Sequence, residues 1–386
     1  MIYSTVIPKN IYCDAKDLRA SEMQVTAAVV REASGPFELE SLELCDPRAD
    51  EVLVRIVGAG ICHTDLICRD QEYPVPLPIV LGHEGSGVVE AIGSDVAGLA
   101  PGDHVVLSFN SCGDCGNCGR GLLTRCDHLF ERNFSGARPD GSNALGSETS
   151  SINGHFFSQS SFSTYAIANV RNAIKVDDAA PLELLGPLGC GIQTGAGAVM
   201  NTLHPRAGSS IAIFGCGSVG LSAVMAAKAV GCGTIIAVEP NSARRELAKQ
   251  LGATHSIDPE TENPTEKIGQ LCGGGAEYSV ECTGNPNVFR QAVDCLSVSG
   301  TCALVGAAAM GTEVQLDMNS IMFGRTVVGV IEGDSIPDQF IPKLVDLFQQ
   351  GRFPIDQLIT FYPLADIQSA VTDMENGKVV KPVLRP

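Results

Sequence analysis

Apolar positions between residues 25 and 106 fall in short β-rich runs, at 25–30, 51–57, 87–92 and 103–107, punctuated by Gly and Pro. That pattern predicts a mostly antiparallel or barrel-like module. Residues 111–160 have little periodicity and are dense in Gly, Ser, Asn and Cys, which predicts a long loop held by something other than an apolar core. From residue 205 the rhythm becomes strand, helix, strand: β-like runs at 209–214, 234–238, 278–282 and 301–305 alternate with helical patterns at 219–230, 244–251 and 289–296. Such alternation predicts a parallel doubly wound sheet. After residue 336 it fades, and the tail is expected to return to the first module.

A length of 386 residues, against about 150 for a typical domain, favours two domains. The net charge of −18 repels phosphate backbones, so no nucleic-acid partner is expected. No apolar run reaches the length of a membrane span. Residues 1–24 carry Lys9, Asp14, Lys16, Asp17 and Glu22 without an apolar stretch, which reads as a loose extension rather than a targeting segment. Fifteen cysteines, an odd number, fit reduced thiols and metal thiolates in a cytoplasmic protein better than a full disulfide framework.

Four of those cysteines, Cys112, Cys115, Cys118 and Cys126, form C-x2-C-x2-C-x7-C in the Gly-rich stretch. Intervening glycines allow three thiolates to turn onto one ion while a fourth closes a tetrahedron, a closed zinc site that orders a loop. Free surface thiols and an iron–sulfur cluster are the competing readings; the seven-residue gap, and the lack of a Pro after Cys126, count against the cluster. Cys62, His83 and Cys190 form a second candidate set. Two thiolates and an imidazole leave zinc a vacant position, as catalysis requires, although each residue singly is more often a core residue than a ligand.

Phe214 leads into Gly215-Cys216-Gly217-Ser218-Val219-Gly220 and then directly into a helical pattern. The glycines of this fingerprint allow a tight turn, close approach of a pyrophosphate, and tight helix–strand packing. Glu239 ends the next strand, where an acidic side chain accepts from a ribose diol and repels a 2′-phosphate, so NAD is favoured. Arg244 and Arg245 keep NADP open.

With these motifs the sequence resembles the zinc-dependent medium-chain alcohol dehydrogenases from about residue 25 to the C-terminus. The runs Cys62-His63-Thr64-Asp65, Asn133-Phe134-Ser135-Gly136, Ser160-Ser161-Phe162 and Glu183-Leu184-Leu185-Gly186-Pro187-Leu188-Gly189-Cys190-Gly191-Ile192-Gln193-Thr194-Gly195 are most similar to the aryl (benzyl) and allylic-terpenoid members. The resemblance implies an α/β fold: a Rossmann domain at 193–334 inserted in a GroES-like, β-rich catalytic domain formed by 25–192 and 335–386, with the active site in the cleft between them. It implies two zinc ions, catalytic at Cys62, His83 and Cys190 and structural at Cys112, Cys115, Cys118 and Cys126. Glu84 would lie behind the catalytic metal as a transient ligand, Asp65 would orient His83, and Thr64 would take the alcohol's proton. Thr194 would border the nicotinamide, Glu239 and Arg244 the adenosine ribose, and His63 and Lys381 the pyrophosphate; an ordinary surface cation is the other reading of these last two. Phe109, Phe156 and Phe157 would wall an apolar substrate pocket, or simply fill core.

The implied activity is reversible oxidation of primary aryl or allylic alcohols to aldehydes, with hydride transfer to NAD, in a homodimer or homotetramer. A glutathione-dependent formaldehyde dehydrogenase and a non-catalytic NAD-binding relative are the alternatives. One position departs from many relatives: Ile67 stands where a His passes the proton to solvent.

Overall fold

Strands Met23–Val30 and Phe37–Leu44 pair antiparallel in unbroken register from Met23↔Leu44 to Val30↔Phe37; burial alternates at the start of the first strand and becomes continuous from Ala27 to Val30. They belong to a computed structural model that describes residues 23–147 and 150–386, so the expected extension lies outside the described residues apart from Met23 and Gln24, which open this first strand. Strands Leu145–Ser147 and Ser150–Ser151 extend the sheet on one side and Ile79–Val80 on the other. The second sheet of this module runs Ala173–Lys175, His104–Leu107, Glu84–Ile92, Glu51–Gly60, Lys381–Arg385, Ile359–Pro363, with Tyr165–Asn169 also paired to Glu51–Gly60. One apolar core, built around residues such as Val29, Val54, Leu107 and Phe162, fills the module.

The stretch 111–160 is less loop-like than its composition predicts. Helix Leu129–Phe134 and strand Leu145–Ser147 lie within it, and Ala144, Leu145, Ile152, Phe156 and Phe157 join the core. The cysteine lobe before residue 127 meets this core through half-buried Leu123. Polar composition hid the rest because several of its buried polar side chains bond to backbone: Gln159 donates to the His83 and Ser108 carbonyls, Asn133 to those of Asn110 and Leu129, and Ser160 to that of Val80.

The inserted domain is a six-stranded parallel sheet in the order His255–Ile257, Thr234–Val238, Ser210–Phe214, Ala276–Glu281, Leu296–Leu304, Thr326–Gly329. The order reverses direction at Ser210–Phe214, which places a crevice at its carboxyl end. Asn241, Asn263 and Asn285 each cap a helix by accepting two backbone N–H bonds. The helix Pro264–Leu271 was not foreseen, although Asn263 followed by Pro264 is a start signal. The tail also differs from expectation. Alternation does not fade: helix Pro337–Gln349, strand Ile359–Pro363, helix Ile367–Glu375 and strand Lys381–Arg385 follow one another. The tail does return to the first module, where Val383 lies opposite Gly60.

Candidate active site and metal centres

Strand Glu51–Gly60 ends at the cleft, and Cys62 then caps helix His63–Arg69. Asp65, wholly buried, accepts the Cys62 N–H at 2.9 Å through Oδ2, while its Oδ1 accepts the Gly82 N–H at 3.1 Å and lies 2.9 Å from His83 Nδ1. A carboxylate accepts only, so Nδ1 carries the proton and Nε2 presents its lone pair. That Nε2 is buried and has no hydrogen-bond partner among the described residues. Its neighbours are the thiols of Cys62 and Cys190 and the carboxylate of Glu84, one ligand atom from each of the four lying within 4.8 Å of one another. An unpaired imidazole nitrogen facing two thiols is the donor set a zinc ion takes. The Cys62 thiol is held well below the usual cysteine range by a hydrogen bond from Cys190 and by the imidazole, and Cys190 is raised correspondingly.

Behind these donors, Glu84 starts strand Glu84–Ile92 opposite Gly60, and a Cβ on Gly60 would come within 2.0 Å of its carboxylate. Gly191 N–H donates to Glu84 at 2.9 Å. Lys381 lies only 1% exposed with Nζ 2.9 Å from both Glu84 oxygens and 3.0 Å from the Ile61 carbonyl. The expected role of Lys381 at the pyrophosphate, and its reading as a surface cation, are both corrected: an ammonium has three donors, and all three are engaged inside the protein. Burial raises the Glu84 carboxyl to about 7 against the pull of Lys381. His63, by contrast, is exposed.

Thiols of the second set are equally close. Cys112, Cys115, Cys118 and Cys126 place their sulfurs within 4.8 Å of one another, with Cys112–Cys126 at 3.4, Cys112–Cys118 at 3.9 and Cys115–Cys126 at 4.0 Å. A tetrahedron with zinc–sulfur bonds of about 2.3 Å has edges of about 3.8 Å, so a closed zinc site fits. Backbone N–H groups of Cys112, Cys115, Cys118, Asp127 and His128 point at these sulfurs, and the bonds from Cys118 and Asp127 lower the Cys115 thiol to about 6.

At the crevice of the parallel sheet, Gly215 has φ +87°, a Cβ on Gly220 would sit 1.8 Å from the Gly215 carbonyl, and a Cβ on Gly217 would meet nothing. Turn, packing and open approach thus fall to three different glycines. Glu239 is buried and accepts from Cys216 N–H at 2.7 Å and Asn241 N–H at 3.0 Å. Arg245 is turned away, donating to the Glu239 and Pro240 carbonyls and pairing with Asp258 at 2.9 Å. Arg244 reaches the Val379 carbonyl at 3.4 Å, and its buried Nε is unpartnered among the described residues.

Comparison with known proteins matches residues 48–178 to the alcohol dehydrogenase GroES-like domain and residues 218–350 to the zinc-binding dehydrogenase family. Geraniol dehydrogenase of Castellaniella defragrans is 49% identical over 361 residues, covering 93% of this chain and 96% of that one. The chain belongs to the zinc-dependent medium-chain alcohol dehydrogenase family. Benzyl alcohol dehydrogenase from Acinetobacter calcoaceticus superposes with a TM-score of 0.92 at 50% identity, over 94% of this chain and 99% of that one. An alcohol dehydrogenase class-3 of Caenorhabditis elegans is 37% identical, over 93% and 96% of the two chains. This dehydrogenase is therefore an oxidoreductase built on the GroES-like and Rossmann pair of domains.

Around the imidazole the dehydrogenase gathers aromatic rings. Phe157 stacks on His83 at 4.5 Å and Phe156 meets it edge-on at 5.6 Å; Phe134 touches both, and Tyr73 touches Phe134. Phe109 is buried elsewhere in the same core, lining a small cavity with Ser111, Leu123, Arg171, Pro337 and Asp338. Thr64 Oγ1 lies 3.9 Å from Cys62 Sγ, Thr194 is buried on helix Gly191–Gly197, and Ile67 is buried. One residue went unnoticed in the sequence. Glu332, buried at the end of the parallel sheet, accepts at 3.0 Å from Nε2 of Gln193, three residues after Cys190; burial lifts its carboxyl to about 7. No motif marks it, because its neighbours are 139 and more positions away in sequence.

Proposed function

We propose that the protein oxidises primary aryl or allylic alcohols, of the benzyl alcohol or geraniol kind, to aldehydes, passing hydride reversibly to NAD. The observation that carries this reading is the buried, unpartnered His83 Nε2 converging with Cys62 and Cys190 beneath a set of stacked aromatic rings. The donors fit zinc, which when bound supplies a Lewis acid that acidifies the alcohol hydroxyl. Asp65 fixes the imidazole so that its lone pair stays on target. Thr64 accepts the hydroxyl proton. With Ile67 in the relay position, water carries that proton onward. Thr194 would border the nicotinamide of bound NAD, which would supply the hydride acceptor for the carbinol carbon, so that alcohol and NAD+ give aldehyde, NADH and one proton. Phe134, half-buried, offers apolar surface to a ring or isoprenoid chain, backed by the buried rings of Phe156 and Phe157, and these rings help exclude water.

NAD is favoured over NADP because Glu239 stands at the ribose position while Arg245 is committed to Asp258. The four-cysteine lobe holds a structural zinc. Thirteen of the fourteen cysteines among the described residues are free, Cys45 being disulfide-bonded, and that balance supports a cytoplasmic setting. A homo-oligomer is supported by the unpaired edge of strand Thr326–Gly329, beside which Met318, Met322 and Phe323 are exposed.

The substrate test is steady-state kinetics with NAD on geraniol, benzyl alcohol and the glutathione–formaldehyde adduct. The proposal expects kcat/KM for the two alcohols to exceed that for the adduct by at least about tenfold. Preference for the adduct would instead place the protein with its class-3 relatives.

A further inference from the structure

Three consecutive residues, Glu332, Gly333 and Asp334, hold left-handed backbone with φ of 50°, 65° and 45°. Two of them are not glycine, and such strain persists only where the surroundings over-determine it. The surroundings are three separate parts of the molecule. Glu332 accepts from Gln193, whose amide also donates to Ser108 Oγ at 2.8 Å and whose oxygen accepts from Ser335 at 3.0 Å; the Ser108 hydroxyl in turn donates to the carbonyl of Gly189, next to Cys190, at 2.7 Å. The Gly333 carbonyl accepts from Asn201, and a Cβ on Gly333 would lie 2.3 Å from the Gln193 carbonyl. Asp334 accepts from Thr124 Oγ1 at 3.1 Å, Arg125 Nη2 at 3.2 Å and Thr202 Oγ1 at 3.0 Å. Thr124 and Arg125 form the turn between Cys118 and Cys126, inside the four-cysteine lobe.

We propose that this corner is a strut by which the four-cysteine lobe positions the Cys190 loop: Asp334 grips the lobe, and Glu332, two residues away, holds Gln193, which reaches Gly189, next to Cys190, through Ser108. Both are positioning residues, acting through Cys190 rather than on substrate. The strut gives the closed lobe, remote from the reacting atoms, a route to the cleft, and its catalytic consequence rests on the function proposed above.

Hydrogen–deuterium exchange of the intact holoenzyme, read beside kinetics and zinc content, tests it. Asp334→Ala removes contacts only to the lobe and to Thr202. The strut nevertheless requires faster exchange in residues 190–197 as well as 112–126. Thr124→Val, altered on the lobe side alone, gives the same pair of changes and serves if Asp334→Ala does not fold. In the same variants kcat falls about fivefold or more with alcohol KM within about twofold and both zinc ions retained. Glu332→Ala behaves likewise, and Glu332→Gln, which still accepts from Gln193, recovers most of the rate. Exchange that rises in 112–126 but stays unchanged in 190–197 overturns the strut. Because exchange needs no substrate, that failure is distinct from failure of the alcohol reading, which would appear as wild-type protein inert towards alcohols.

Discussion

His83 shows how far single side chains are set by their partners. Its tautomer follows from Asp65, which also caps the helix carrying Cys62 through a bond to the Cys62 N–H. Asp65→Ala frees the ring, and the expected outcome is a loss of catalytic-site zinc affinity of about 10–100-fold, measured by chelator competition. Lys381→Met takes the cation from a buried carboxyl already near 7, so Glu84 takes up a proton, and breaking the buried pair is expected to cost about 3 kcal/mol in urea unfolding. A further residue-scale effect concerns pH. Burial and the nearby Arg138 hold the His155 imidazole down at about 3 from 6.5, while Glu51 is lowered too, its burial outweighed by the bonds from Arg138. Both folded-state values are depressed, so the stability they confer is complete above about pH 6.5 and is lost on acidification. For His155 alone the loss reaches about 2 kcal/mol by pH 5. Unfolding free energies between pH 7 and pH 5 check this, and His155→Gln should flatten the slope.

At the scale of elements, the glycine turn separates fold from ligand. Gly220→Ala drives a Cβ into the Gly215 carbonyl and is expected to destabilise the inserted domain by about 1–3 kcal/mol. Gly217→Val points into open space, so it should leave the melting temperature nearly unchanged while weakening NAD binding, read by NADH fluorescence titration. These elements were legible in the sequence because a strand, three glycines and a helix occupy consecutive positions. So were the four cysteines, which share one short lobe. What remained hidden has a common cause: Lys381, Glu332 and Gln159 act through partners brought together by sheet register or by the domain insertion, and no local spacing encodes such meetings. Lys381 looked like a free cation until the return of the last strand placed it behind Glu84. The stretch 127–160 reads as loop because polar residues such as Asn133, Gln159 and Ser160 bond to backbone groups inside a core.

Taken whole, the molecule joins a β-rich module made from both ends of the chain to a parallel sheet made from its middle, and the candidate chemistry lies where they meet. Cys62 and His83 come from the first part of the chain, Cys190 from the crossing into the inserted domain, and Glu332 from the crossing back. The oligomer proposed for the sheet edge predicts a mass above that of one chain in light scattering, and Phe323→Lys should shift it towards monomer. The central claim is that Cys62, His83 and Cys190 hold a metal distinct from the one in the cysteine lobe. Elemental analysis of purified wild-type protein and of folded Cys190→Ala tests it most directly. The account predicts two zinc ions per chain in the first and one in the second; a single zinc in active wild-type protein, unchanged by Cys190→Ala, would contradict it.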